Sequence, residues 1–185
     1  MSILSAQTIR SLCVHTFYNN RSEVVKTERC ATPLIEPFVN GRNLFEGMSY
    51  GLSSASYDMR LAECDAPVYT DTVTDESYYL IGPGEFVLAS TIERVCLPDN
   101  VVGFIHDKSS RARVGLSAFN TLIDPGFRGF VTLELVNNSK QVIHIKKGAP
   151  IVQMVFHYLD TPTDRPYEGK YQDQRGGPQP AIYEK

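Results

Sequence analysis

Between Tyr78 and Tyr158 the chain is written in short alternating runs that suit a β-sheet. In Phe130–Val136, Val131, Leu133 and Leu135 fall on one side and Thr132, Glu134 and Val136 on the other. That period of two is the pattern of a half-buried strand. Comparable runs cover Tyr78–Ile81, Glu85–Ser90, Val101–Ile105, Val142–Lys146 and Val152–Tyr158. Turn signals part them, at Gly82-Pro83-Gly84, Pro98-Asp99-Asn100, Pro125-Gly126 and Lys147-Gly148. Short strands at such spacing predict an all-β domain. Ahead of them, Ser2–Cys13 reads as a helix capped by Ser5, with Ile9, Leu12 and Cys13 at helical spacing. Thr16–Phe45 is cut into short extended pieces by Pro33, Pro37, Asn40 and Gly41, with Glu28, Arg29 and Glu36 expected in solvent. Met48–Leu61 ends in a strand on which Asp58 and Arg60 share a face, so an ion pair between them is expected. Asp65–Ser77 reads as a surface loop. From Asp160 the composition turns to proline, glycine and charge, which predicts a tail that is mobile without a ligand.

The chemistry concentrates between Asp107 and Asn137. Lys108, Ser109, Ser110, Arg111 and Arg113 gather the cations and hydroxyls that an oxyanion needs. Gly115 is placed to stop a short helical turn that starts near Ser109. Asp124 sits in the Pro125-Gly126 turn, and Glu134 follows ten positions later inside a strand. A carboxylate among apolar strand neighbours is either on the solvent face or held in a pocket, and both readings are open on the residues alone.

The order Lys-Ser-Ser-x-Ala-Arg-x-Gly-Leu, Ile-Asp-Pro-Gly-Phe-x-Gly and Thr-Leu-Glu-Leu-x-Asn resembles the dCTP deaminase family of the dUTPase-like superfamily. Pro150–Phe156, Pro166-Tyr167 and Lys170–Gly176 continue it, and Ser56–Leu61 is a weaker echo. The resemblance implies a mainly β, distorted jelly-roll or barrel fold with a short N-terminal helix. It also implies a homotrimer with active sites shared between subunits, and a tail at 160–185 that closes over them. Glu134 would be the proton shuttle, assisted by Ser109 and Arg113. Lys108, Ser109, Ser110, Arg111, Ala112 and Arg113 would form the phosphate-binding turn. Asp124 would hold the sugar 3′-hydroxyl and Phe127 would pack on the deoxyribose. Thr132, Leu133, Gln153, Tyr167, Lys170 and Gln174 would supply further nucleotide contacts. Magnesium would arrive on the triphosphate rather than in a protein cage.

The implied reaction is deamination of dCTP to dUTP and ammonia. The alternatives are a dUTPase, a bifunctional enzyme that makes dUMP and diphosphate, and a catalytically silent nucleotide sensor. The segment from Leu116 to Asp124 is two residues shorter than the family pattern. That leaves the choice of base open, because a register change in a hairpin turns side chains to the other face. Thr121 stands where the deaminases carry a water-placing Thr-Ala pair.

The whole composition fits these expectations. A chain of 185 residues is most simply one domain, and a net charge of −3 argues against a general nucleic-acid binder. Cys13, Cys30, Cys64 and Cys96 form no CxxC pair, and His15, His106, His144 and His157 are scattered. The histidine–glutamate and Pro-Cys-x-x-Cys motifs of zinc deaminases are missing, so no zinc is expected and a carboxylate must move the protons. No signal pattern or long apolar run is present, which points to the cytoplasm and away from a membrane.

Overall fold

A computed structural model describes residues 2–18, 24–29 and 31–183. Cys30 and the side chains of Glu28 and Arg29 lie outside the described set. The elements run β1 (Ser2–Ile3), α1 (Ala6–Ser11), β2 (Val14–Tyr18), β3 (Val24–Arg29), β4 (Ile35–Glu36), β5 (Arg42–Phe45) and β6 (Met48–Leu52). There follow β7 (Tyr57–Cys64), β8 (Val68–Thr70), β9 (Ser77–Ile81), β10 (Phe86–Cys96), β11 (Val101–Asp107) and α2 (Ser109–Ala112). The chain ends with β12 (Leu116–Ala118), β13 (Leu122–Ile123), β14 (Arg128–Asn137), β15 (Ile143–Ile145) and β16 (Pro150–Tyr158).

The protein is mostly β, as its alternation predicts. One curled antiparallel sheet runs β12-β14-β10-β7-β16-β11-β13, with β1, β4, β5 and β6 paired along its margins. A smaller sheet, β15-β9-β8, covers one side, and β2 and β3 form a hairpin. The inward face carries the core: Tyr57, Met59 and Leu61 from β7, Val131, Leu133 and Leu135 from β14, and Met154 and Phe156 from β16 are all buried. Curling brings β11 and β12 near one another, joined through α2.

The helix is shorter than its spacing predicts. Ser5 caps it as expected, its hydroxyl accepting from the Thr8 N–H. Ser2 and Ile3 instead extend along β16, and Val14 already starts β2. The loop expected at 65–77 contains β8, which pairs with β9.

Asp58 and Arg60 do not pair with one another. Each finds its opposite charge on a strand distant in sequence. Asp58 Oδ2 lies 2.6 Å from Lys108 Nζ, and Arg60 Nε donates to Glu93 Oε1 at 2.7 Å. Glu93 has no exposed surface, and burial holds its carboxyl above the ordinary range despite the arginine. A buried acid recruits whichever cation the fold delivers, and cross-strand partners lie closer than period-two neighbours on one strand.

Tyr57 shows how this core is closed. Its hydroxyl accepts from the Val39 N–H at 3.0 Å and donates to the Pro37 carbonyl at 3.3 Å, while the ring stacks on Phe38. Tyr57→Phe would leave both backbone groups unpaired. Urea unfolding followed by circular dichroism is expected to show a loss of about 1–3 kcal/mol. An unchanged midpoint would show that water replaces the hydroxyl at no cost.

Candidate active site

A cavity of about 510 Å³ opens on the outward face of β14, bounded by β10, β13 and the tail. The pleat puts Thr132 and Glu134 into it while Val131, Leu133 and Leu135 point to the core. Pairing with β10 sets Leu88 opposite Glu134, and the Phe86 ring forms part of the wall. The turn between β13 and β14 delivers Asp124 and Phe127 to the same cavity. Gly126 holds that turn at φ +87°, and a Cβ there would come within 2.6 Å of Pro166. Asp124, Phe127, Thr132, Glu134, Tyr167 and Gln174, all expected at the site, therefore meet, and Thr121 lines the same cavity.

Glu134 is half-buried, and its carboxylate has no side-chain partner among the described residues. Burial holds its carboxyl above the ordinary glutamate range, offset only in part by its own backbone N–H. An acid raised in this way can take up a proton and release it to a neighbour. The Asp124 side chain likewise makes no hydrogen bond to another described residue.

The tail departs from expectation, because it is tied down. Phe130 N–H donates to the Gln174 carbonyl at 3.0 Å, Asp173 N–H to the Arg128 carbonyl at 2.8 Å, and Tyr167 N–H to the Pro125 carbonyl at 2.8 Å. Arg128 and Asp173 add an ion pair at 2.5 Å. Gln174 Nε2 reaches Thr132 Oγ1 at 2.7 Å, and Tyr167 meets Phe127 edge-on with centroids 5.8 Å apart. Tyr171, Gln179 and Pro180 complete the wall. Sequence reasoning missed these three and Phe86. Proline-rich composition describes the tail's exposure and says nothing about where its backbone hydrogen bonds go.

The basic turn sits elsewhere on the chain. None of Lys108, Ser109, Ser110, Ala112, Arg113, Gln153 or Lys170 lines the cavity. Ser109 starts α2 as expected, and Ser109, Ala112 and Arg113 are exposed. Lys108 and Arg111, three residues apart, share the inward face of that turn. Lys108 is 7% exposed and spent on Asp58, which also accepts from Gln153 Nε2 at 3.1 Å. Arg111 is 8% exposed, and its Nε donates to the Pro150 carbonyl at 2.9 Å. These two cations were expected on phosphate, and the structure gives them other surroundings. Leu133 is core, so only its backbone remains for a ligand. Lys170 lies over the Tyr171 ring at 5.5 Å. Among the described residues no three His, Cys, Asp or Glu side chains converge as a metal cage would require. Cys64 and Cys96 are free thiols, and burial pushes that of Cys64 up to about 11, away from reactivity.

Residues 48–159 match the family profile described as dCTP deaminase-like. The chain belongs to that family. A relative from Hydrogenobaculum, named dCTP deaminase, dUMP-forming, is 38% identical over 154 residues, which span 81% of this chain and 87% of the relative. Relatives of the same name from Aquifex aeolicus and Methanoregula boonei are 43% and 45% identical, over 57% and 54% of their own lengths. The chain thus spans a little over half of those two proteins. Among solved structures, the dUTPase of Staphylococcus bacteriophage 80alpha superposes with a TM-score of 0.48 at 18% identity, over 70% of this chain and 89% of that one. No helix among the described residues is long and apolar enough to cross a membrane.

The raised carboxyl of Glu134 has a measurable consequence for stability. A raised acid binds its proton more tightly in the folded state, so stability is fully present below the unfolded pKa and is lost as pH rises through the folded one. Glu134→Gln removes that loss. Its urea midpoint is expected to exceed that of the native chain at neutral pH, with the gap closing as pH falls through the ordinary glutamate range. A gap that is constant with pH would contradict the shift.

Proposed function

We propose that the chain deaminates the cytosine of dCTP and then carries the product to dUMP and diphosphate. The carrying observation is the unpaired, half-buried carboxyl of Glu134 in one cavity with Asp124. Glu134 takes a proton from water as it attacks carbon 4 of the ring. The same carboxyl returns protons to the ring nitrogen and the departing amine, so dCTP and water give dUTP and ammonia. Phe127 packs on the sugar and Asp124 orients its 3′-hydroxyl. Asp124 then assists attack of a second water on the α-phosphorus, with release of diphosphate. The names of the relatives support dUMP as the end product, in place of the dUTP that the motif pattern implies. Magnesium enters as companion to the triphosphate, where it neutralises phosphate oxygens.

We propose further that the site is shared in a homotrimer. The exposed Ser109 and Arg113 and the partly buried Ser110 do not line the cavity of their own chain, so another copy supplies them to the phosphates. Lys170 and Gln153 fall into the same supporting class, and Lys108 holds the turn through Asp58 rather than touching phosphate.

Two experiments test this reading. With dCTP and magnesium, the native chain is expected to release ammonia, dUMP and diphosphate. Glu134→Gln should lower turnover by roughly 10²–10⁴ while still binding dCTP. Accumulation of dUTP would restrict the enzyme to the first step, and full activity of the variant would reject Glu134. In the second experiment, inactive Glu134→Gln and Arg113→Ala chains are refolded together. In an equal random mixture, roughly a quarter of all sites should combine an intact cavity with an intact turn and regain activity. No recovery would place both residues in one chain's site.

A further inference from the structure

A second cavity, of about 540 Å³, lies between the end of α2 and the loop that joins β14 to β15. Its walls carry Arg111, Lys140, His144, Ser139 and Gln141, with no carboxylate among them. Arg111 is the informative member. It is more than nine-tenths buried, yet only its Nε is bonded, to the Pro150 carbonyl. Its two terminal nitrogens have no hydrogen-bond partner among the described residues, and neither is sealed from solvent. Burial lowers its pKa, so its charge lacks full compensation. Glu46 is the acid whose field reaches it, and that carboxylate is engaged by Lys146. Lys140 is exposed at the rim with no ion pair among the described residues. His144 rests edge-on against Tyr78, with centroids 5.9 Å apart.

The walls are also built in advance. Asn137, with no exposed surface, donates through Nδ2 to the carbonyls of Ile81 and Gln141 and accepts from the Ser139 N–H. Asn138 N–H donates to the Gly115 carbonyl at 2.8 Å, which fastens the loop to the end of α2. A Cβ on Gly115, held at φ +92°, would come within 2.7 Å of Ser139. A buried guanidinium with unspent donors on fixed walls is an arrangement that a phosphate-type oxyanion would complete.

We propose that this cavity binds a small oxyanion of the phosphate or diphosphate class, separately from the cavity that holds Glu134. Arg111 gives the forked contact, and Lys140 with Ser139 closes over the anion. The other face of the same turn presents Ser109 and Arg113, so an occupant would fix the position of the turn. The proposal does not depend on the deaminase reading.

Calorimetric titration of the full chain with inorganic phosphate and with inorganic diphosphate, at matched ionic strength, tests it. Lys140→Ala and Arg111→Met should each weaken binding about tenfold, the loss of one charge-assisted hydrogen bond. Arg113→Ala should weaken only the separate binding at the phosphate turn and leave the affinity of this cavity unchanged. The reverse pattern would place the anion on the outward side of the turn and overturn the proposal. Absence of binding by the native chain would overturn it as well. Lys140 is exposed, so its variant keeps the test sound if Arg111→Met fails to fold.

Discussion

The pairing of β14 with β10 is the constraint on which the site rests. It sets Leu88 opposite Glu134 and Ala89 opposite Leu133. One face of β14 therefore supplies core and the next residue along supplies an acid to a cavity. A slip of one residue would drive Glu134 into the core and put Leu133 and Leu135 in solvent. Burial of those leucines thus fixes the acid in place. No hydrogen bond from another side chain is needed, and its own backbone N–H offsets only part of the burial that raises the carboxyl.

A second consequence follows from the division of cations on α2. Two of them, Lys108 and Arg111, turn inward, and the outward Arg113 faces away from its own chain's cavity. Lys108 and Asp58 form a buried pair whose disruption would leave an uncompensated charge, so the turn is held from beneath. The tail lies along β14 and sets Gln174 and Tyr167 into the wall of the cavity.

Much of this was legible from residue order. The strand at Phe130–Val136, the Ser5 cap and the meeting of Asp124, Phe127 and Glu134 all follow from local pattern or ordered motifs. What could not be read is long-range. Arg60 met Glu93 because β7 pairs with β10, and Asp58 met Lys108 across β16, which lies between β7 and β11; no local spacing reports sheet order. Arg111 was grouped with its neighbours as a phosphate ligand, although its spacing from Lys108 is a signal that both face inward. Backbone bonds of Asp173 and Gln174 hold the tail against β14, and side-chain composition carries no record of them.

The proton shuttle rests on burial on the outward face of β14, which raises the Glu134 carboxyl above the ordinary glutamate range. A carbon-13 NMR titration of the labelled Glu134 carboxyl measures this directly. The predicted midpoint lies above the ordinary value of about 4.3. A midpoint at or below that value would mean the carboxylate is solvated or paired, and the proton shuttle would have to be sought elsewhere.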